Sequence, residues 1–240
     1  MRLFIKFMFT CLVPLSFSLH AFDFRHGVVP VQLGLFGSSQ GKAQNINIQG
    51  LIGDKFTTTV NNNNNTNGLF GIGYYVNGME QDHFNLMYGL NGFYLGNTSV
   101  SGTIMQEHLF ENLAYHYRIQ HVPVYLAAKA KIKNTNEKYN IIVDAGIGPN
   151  FMQTNGYKDS SLDEITLPDH AFKGQNNVAF TVTAGIGLRL NNLLGKAPIE
   201  CGYRFFYLGQ GELLQRTNQI LNTLKTGNNY ANAVVCAVTV

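Results

Sequence analysis

Two near copies of one short pattern raise the question of phosphate chemistry. VDAGIGPNF (143–151) and VTAGIGLRL (182–190) both contain Gly-x-Gly. A dinucleotide-binding loop has a third glycine and opens a helix whose N-terminus holds the phosphates. Neither copy has that glycine, and no helical pattern follows either. The glycines fall at every second position of strand-like sequence, and glycine there marks a place without room for side chains, such as the inside of a small barrel. We therefore predict small lumenal residues at Gly146, Gly148, Gly185, Gly187 and Gly202.

Hydrolytic chemistry is the second possibility that the residue types raise. A histidine activates a serine when the two share a hydrogen bond and a third group orients the ring. His170 shares a polar stretch with Asp159, Ser160, Ser161 and Asp163, but no His-x-Ser motif falls on a strand. Solvated loop histidines are the favoured interpretation, also for His108, His116 and His121. We expect no catalytic residue, no metal site and no cofactor.

Apolar residues alternate with small or polar residues along most of the chain. In NIIVDAGIG, for example, Ile141, Val143 and Ile147 oppose Asp144 and Gly146. Such alternation is typical of strands with one apolar face. It predicts eight strands, at about 29–39, 68–77, 83–96, 109–133, 139–154, 177–191, 198–211 and 229–240. The fourth of these is long and is expected to break near Pro123. The predicted connectors alternate between short (77–82, 134–138, 192–197) and long (40–67, 97–108, 156–176, 212–228).

A set of charged residues falls on the predicted inner face. An eight-stranded barrel leaves an interior only wide enough for side chains, so these groups must pair with one another. Neighbouring strands bring Arg189 near Glu200. We predict a lumenal ion-pair network, with a proton or ion pathway as the alternative, formed by Lys129, Lys131, Asp144, Arg189, Glu200 and Arg204.

Composition and the N-terminus indicate the compartment. Charged residues make up only 13% of the chain, about half of what soluble domains carry. MRLFIKFMFTCLVPLSFSLHA has two basic residues, a short apolar run and a final Ala21, which is typical of a secretory signal peptide. We predict a signal peptide at 1–21 and one barrel domain at 22–240. Removing Arg2 and Lys6 leaves 15 basic against 14 acidic residues, which gives no electrostatic case for binding nucleic acid.

With VDAGIGPNF, VTAGIGLRL, ECGYRFFYLG and its alternating last strand, the chain resembles the eight-stranded outer-membrane β-barrel families of Gram-negative bacteria, the OmpA-like, OmpX-like and opacity-type group. The resemblance implies an all-β, transmembrane, antiparallel up-and-down barrel with short periplasmic turns and long extracellular loops. Implied partners are outer-membrane lipids, lipopolysaccharide, the barrel assembly machinery and a host or cell-surface ligand of the loops. Members of the group usually end in Phe or Trp, whereas this chain ends in Val240.

The expected role is structural or a surface interaction, without catalysis and with a lumen closed by side chains. The resemblance also leaves two alternatives. One is a narrow conduit for small hydrophobic molecules, of the OmpW type, and the other is an enzyme that modifies lipid A.

Two further features remain open at the level of sequence. Cys201 and Cys236 lie on neighbouring predicted strands and on the outward face. Two free thiols facing lipid are favoured over a cross-strand disulfide, which needs Cα atoms within about 7 Å.

The last predicted loop has a helical pattern. In ELLQRTNQILNTLKTG (212–227), three leucines at helical spacing (214, 221 and 224) predict a short amphipathic helix at the rim, ending at Gly227.

Overall fold

The computed structural model describes residues 27–59, 65–134, 139–194 and 197–239. The predicted signal peptide and Val240 lie outside these ranges. No helix long and apolar enough to cross a membrane occurs within them. Their regular structure consists of the strands β1 (Pro30–Ser39), β2 (Gln44–Ile46), β3 (Asp54–Phe56), β4 (Thr66–Glu80), β5 (Phe84–Gln106), β6 (Phe110–Ile132), β7 (Tyr139–Ser161), β8 (Phe172–Lys173), β9 (Asn176–Leu194), β10 (Ala197–Gly209), β11 (Glu212–Gln215), β12 (Leu224–Lys225) and β13 (Asn229–Thr239).

Eight of these strands form a closed antiparallel ring. Its order is β1-β4-β5-β6-β7-β9-β10-β13, and β13 pairs with β1 from Pro30↔Thr239 to Ser39↔Tyr230. All backbone groups of the wall can therefore pair within the ring, which has no free edge. The prediction of an all-β, eight-stranded antiparallel barrel is confirmed.

The two faces of the ring strands differ as the alternation predicts. Large apolar side chains point outward and stay exposed, such as Leu35 (66%), Leu126 (68%) and Ile147 (56%). Their neighbours point inward and are buried, such as Thr181 and Thr183. The wall thus presents an apolar belt on its outside. Its interior is largely polar in the half nearer the short turns.

Two strands, β5 and β7, extend well beyond their predicted bounds of 83–96 and 139–154, whereas β6 matches its predicted bounds of 109–133. β5, β6 and β7 each have 23 residues, about twice the 9–11 that cross a bilayer. The predicted long connector 97–108 is wrong, because strand pairing continues to Gln106↔Phe110 and only a tight turn joins β5 to β6. Pro123 does not break β6 either, since it lies in register with Asn150 of β7.

The extended strands carry a second folded layer, which we call the head. It consists of the ends of β5 to β7 (residues 97–119 and 153–161) and the loop strands β2, β3, β8, β11 and β12. β3 pairs with β5, β11 pairs with β8 and β12, and Gln44 of β2 exchanges hydrogen bonds of 2.8 and 3.0 Å with the Lys225 backbone. The loops therefore continue the wall of the barrel and close over its end.

The head has an apolar core of its own. Phe56 and Phe172 lie in it with ring centroids 5.7 Å apart, and Tyr157 packs edge-on against Phe172 at 5.5 Å. Leu113, Leu213 and further buried apolar side chains complete the cluster. This burial explains why the loops fold, since apolar area removed from water is the main favourable contribution to folding.

The predicted amphipathic helix in 212–227 is wrong. The segment forms β11 and β12, which pair through Leu213↔Leu224. The head core takes Leu213, Ile220 and Leu224, so only one of the three leucines at helical spacing belongs to it. Tertiary burial outweighs a weak helical pattern in a short segment.

Candidate functional site

A pair of buried opposite charges lies in the lumen, in the half nearer the short turns. Arg204 of β10 contacts Asp144 of β7 at 2.7 Å, and both side chains are at most 7% exposed. The guanidinium also donates to the Tyr125 hydroxyl at 2.5 Å and lies 5.4 Å from the centre of the Phe93 ring. The Arg204 guanidinium therefore neutralises the buried Asp144 carboxylate across the lumen, and it also packs near the Phe93 ring.

A second ion-pair group lies beside the first. Glu200 accepts from Lys129 at 2.7 Å and from Arg189 at 2.9 Å, so one carboxylate joins β6, β9 and β10. The Lys129 ammonium also lies 4.7 Å from the centre of the Tyr75 ring. Lys131 is half-buried one position further along the same face, and no ion pair or hydrogen bond joins it to the described residues. Of the six predicted members, the structure thus brings five into two linked groups.

Neutral polar side chains extend the network across the lumen. Asn91 donates to the hydroxyls of Tyr75 and Tyr125 at 3.1 and 3.2 Å and accepts from Gln32 at 2.8 Å. Through Tyr125 this chain of contacts reaches Arg204. The sequence reading missed Gln32, Asn91 and both tyrosines, although each falls on the inward side of its strand. A network in which each group has a partner is rigid and leaves little for a solute to bind.

The predicted lumenal glycines lie where side chains have no room. A Cβ atom at Gly185 would stand 2.9 Å from the Asp144 carboxylate. Gly187 and Gly202 face each other across β9 and β10, where a Cβ on Gly202 would be 2.5 Å from the Gly187 Cα. Gly146 and Gly148 both lie against Tyr125. These glycines let bulky residues on neighbouring strands fill the lumen.

An aromatic layer lies next to the network, on the side towards the head. Phe93 lies edge-on to Phe206 at 5.4 Å and stacked on Tyr125 at 6.3 Å, and all three are at most 2% exposed. Above it, His121 and Asn150 are fully buried and share a hydrogen bond of 3.0 Å. The expectation of a solvated His121 is wrong, because this residue lies on the inner face of β6 rather than in a loop.

The cavity among the lumenal charges is small. A cavity of about 40 Å³ lies among the charged side chains, lined by Gln32, Lys129, Asp144, Glu200 and Arg204. One water needs roughly 10–15 Å³ by this measure, so the cavity holds a few waters and no larger solute.

At the far end of the head, an aspartate orients a histidine. The buried Asp159 carboxylate accepts from the His170 ring at 2.7 Å and from its backbone N–H at 2.8 Å, while the ring is 63% exposed. Ser161 donates to Asp163 at 2.7 Å, and no hydrogen bond within the described ranges joins His170 to Ser160 or Ser161. These ranges also contain no cluster of three metal-ligating side chains. The serine part of a catalytic triad is thus not assembled here.

The carboxylates near this end differ in acidity. Burial raises the pKa of Asp54, and it raises the pKa of Asp169, to which the charge of Asp159 adds. Hydrogen bonds from Thr166, Ser161 and Ile165 hold the pKa of Asp163 well below its usual range. Asp163 therefore stays ionised and fixes the loop around it.

Solved structures resemble the chain over most of its length. The outer membrane protein OprG from Pseudomonas aeruginosa aligns with a TM-score of 0.53 at 11% identity, over 89% of this chain and 96% of its own. The outer membrane protease OmpT from Escherichia coli aligns with a TM-score of 0.51 at 10% identity, over 92% and 98%. No protein-family model matches the chain, and no curated sequence is significantly similar to it. The chain has the eight-stranded outer-membrane β-barrel fold.

The identification orients the barrel. Outer-membrane barrels place their short turns in the periplasm and their longer loops outside the cell. The ion-pair network then lies in the periplasmic half of the barrel, and the head is extracellular. The outward apolar belt faces lipid, and the structural neighbours being bacterial outer-membrane proteins supports this membrane as the location.

A disulfide joins two strands on the lipid-facing surface of the barrel. Cys201 of β10 and Cys236 of β13 are in register, with Cα atoms 4.1 Å apart, and their sulfurs are bonded. The preference for free thiols is wrong. It failed because the two strands pair without a shift at this point, which places both residues directly opposite each other on the same face.

Replacing both cysteines is expected to weaken the barrel. The bond closes a segment with a sequence separation of 35, and loss of such a link costs about 2–4 kcal/mol. Urea unfolding of the Cys201→Ser/Cys236→Ser variant in lipid vesicles measures the change. Reducing agent should weaken the unaltered barrel similarly and leave the variant unchanged, whereas equal stability of the oxidised barrel and the variant would contradict a stabilising bond.

Proposed function

We propose that the protein is an exported, non-catalytic outer-membrane barrel that acts through its extracellular head and passes no solute. The observation that carries the proposal is the closure of both ends. Paired charges and aromatic rings fill the periplasmic half, and the head core covers the other end. Export would use the predicted signal peptide at 1–21, and insertion would use the barrel assembly machinery.

The filled lumen supports a structural rather than a conducting role. A conduit needs a continuous path, and the ion pairs Arg204–Asp144 and Lys129–Glu200 cross the interior around a cavity of only about 40 Å³. Opening it would separate buried charges, which costs several kcal/mol for each unpaired group. Outer-membrane lipids and lipopolysaccharide would contact the belt and the sides of the head.

The folded head supports surface interaction as the role. Loops that carry no function need no core of their own, whereas this head buries apolar residues from three different loop segments, among them Phe56, Phe172 and Leu213. Binding sites are commonly built on loops that a rigid scaffold positions. A host or cell-surface ligand would therefore meet a preformed surface.

Single-channel recording tests the closed lumen. We expect the purified barrel to give no conductance steps in a planar bilayer in which a general porin, as the positive control, conducts. Stepwise conductance would contradict the proposal and favour a conduit.

Lipid A mass spectra from cells with and without the gene test the absence of catalysis, because altered lipid A would favour an enzyme.

A further inference from the structure

The extracellular end of the head exposes a group of large apolar side chains. Each is between 52% and 85% exposed, although the head core lies close beneath. We call this group the crest, and it consists of Leu51, Ile52, Leu109, Phe110, Leu162, Ile165 and Leu167. Contiguous exposed apolar surface of this kind marks a contact with protein or membrane.

Hydrogen bonds show that the crest is one surface. The Ile52 N–H donates to the Glu107 carboxylate in the β5–β6 turn at 3.1 Å. The Leu162 N–H donates to the Asn112 carbonyl at 2.8 Å, and the Asn112 amide donates to the Thr166 hydroxyl at 3.1 Å. Residues from three loop segments therefore meet around the end of the β5–β6 hairpin.

The crest is also fixed in shape. Asp163 accepts from the N–H groups of Ile165 and Thr166 at 3.0 and 2.8 Å and from the hydroxyls of Ser161 and Thr166 at 2.7 Å. These bonds fix the backbone around Ile165 and Thr166, with the Ile165 side chain 85% exposed. A preformed surface loses less entropy on binding.

The surroundings of the crest are acidic. Around it lie Asp54, Glu107, Glu111, Asp159, Asp163, Glu164 and Asp169, against the lysines Lys55 and Lys158 and the histidines His108 and His170 of these segments. A negative field attracts cationic partners and repels anionic surfaces. The partner that fits is a protein segment with an apolar face and basic residues around it.

Distance argues against the crest being part of the lipid belt. On β7 the outward apolar residues end at Phe151, and the outward positions beyond it are polar up to Ser161. That stretch spans roughly 33 Å along the strand, or about 25 Å above the belt if the strand tilts by about 40°. The crest therefore stands clear of the bilayer that holds the barrel.

We propose that the crest is the docking surface for a cationic amphipathic protein segment, an inference that rests on the surface role proposed for the head. The apolar side chains provide the contact area, and the acidic rim selects the charge. The acidic residues repel an anionic membrane or lipopolysaccharide, which is therefore a poor occupant. They also make the crests of neighbouring copies of the chain repel one another.

The test uses the full-length barrel in phosphatidylcholine nanodiscs and a fluorescent helical peptide made only of Leu and Lys. We expect saturable binding above that of empty nanodiscs, and weaker binding at high salt because exposed charges are screened. A Leu and Glu peptide of the same pattern should not bind. Equal binding to empty nanodiscs, or equal binding of both peptides, would overturn the proposal.

Two variants locate the site. Ile165→Ser/Leu167→Ser removes two crest side chains and should weaken peptide binding by more than about tenfold, since each contributes the burial of a large apolar side chain. Glu164→Lys should weaken it at low salt and have little effect at high salt. Leu221→Ser, at a 59% exposed leucine of the head outside the crest, should bind like the unaltered protein, and heat-dependent gel migration checks that every variant folds.

The competing occupants give distinct results. Crest-dependent binding to phosphatidylglycerol vesicles, or crest-dependent self-association in ultracentrifugation, would overturn the cationic segment as the occupant. If the peptide does not bind and the bilayer recording is silent, the docking surface is contradicted, while the proposal of a closed lumen is unaffected. If the barrel conducts and the peptide still binds, the closed lumen is contradicted, while the docking surface is unaffected.

Discussion

Replacing Arg204 by Met is expected to lower the free energy of unfolding by about 3–5 kcal/mol, because removal of one partner leaves a buried charge uncompensated. The partner is Asp144, whose side chain is 6% exposed and lies 2.7 Å from the guanidinium. The Tyr125 hydroxyl loses a donor at the same time. Urea unfolding of the barrel in lipid vesicles measures the effect.

Two control variants separate this effect from a general loss of charge. Lys133→Met breaks an ion pair with Glu80 at the periplasmic end, where both side chains are substantially exposed, and should cost at most about 1 kcal/mol. The double variant Arg204→Met/Asp144→Asn carries no unpaired buried charge and should be more stable than Arg204→Met alone. If Arg204→Met costs no more than Lys133→Met, the lumenal ion pair does not stabilise the barrel.

The second large effect is expected in the head. Phe172→Ala leaves a cavity beside Phe56 and Tyr157 in a fully buried position, and such a change costs about 3–5 kcal/mol. Because β8 contributes only Phe172 and Lys173 to the head, the loss should open the loops rather than the ring. Limited proteolysis of the barrel in nanodiscs should then cut within 162–175 and 210–228, while heat-dependent gel migration persists.

Leu167→Ala is the matched control for this prediction. Leu167 belongs to the same connector between β7 and β9 but is 82% exposed, so its truncation should leave protease resistance unchanged. Equal resistance of Phe172→Ala and Leu167→Ala would show that the loops do not depend on a shared core. Loss of heat-dependent migration in Phe172→Ala would show that the head and the ring unfold together.

The ring could be predicted from the sequence because its strands are long enough for alternation to show. A segment such as 139–151 places an apolar residue outward at every second position, and lipid on one side with a narrow lumen on the other enforces this pattern. The same parity placed Arg189 and Glu200 on the inner face of adjacent strands, where the structure has them 2.9 Å apart. Alternation thus predicts both the strands of the wall and the face of the wall on which each charged side chain lies.

The head could not be predicted in this way. Its loop strands have two to four residues, too few for a period to be recognised. Their burial depends on contacts between distant segments, such as Ile48↔Ile220. The helical spacing in 212–227 was misleading for the same reason, since the core selects Leu213 rather than Leu214.

The disulfide and the buried histidine needed exact register. A shift of two residues between β10 and β13 would keep Cys201 and Cys236 on the outward face but separate them along the strands, and alternation alone does not fix that register. His121 was expected to be a solvated loop histidine near the outer end of the strands. The strand continues, and its inward parity buries the ring beside Asn150.

Heat-dependent migration of the outer-membrane fraction in denaturing detergent tests the central claim most directly. A closed barrel pairs its whole backbone within the ring and resists detergent until it is heated. We expect a band in that fraction which shifts on boiling to the position of the unfolded chain. A band in the soluble periplasmic fraction that does not shift on boiling would contradict a closed barrel in the outer membrane.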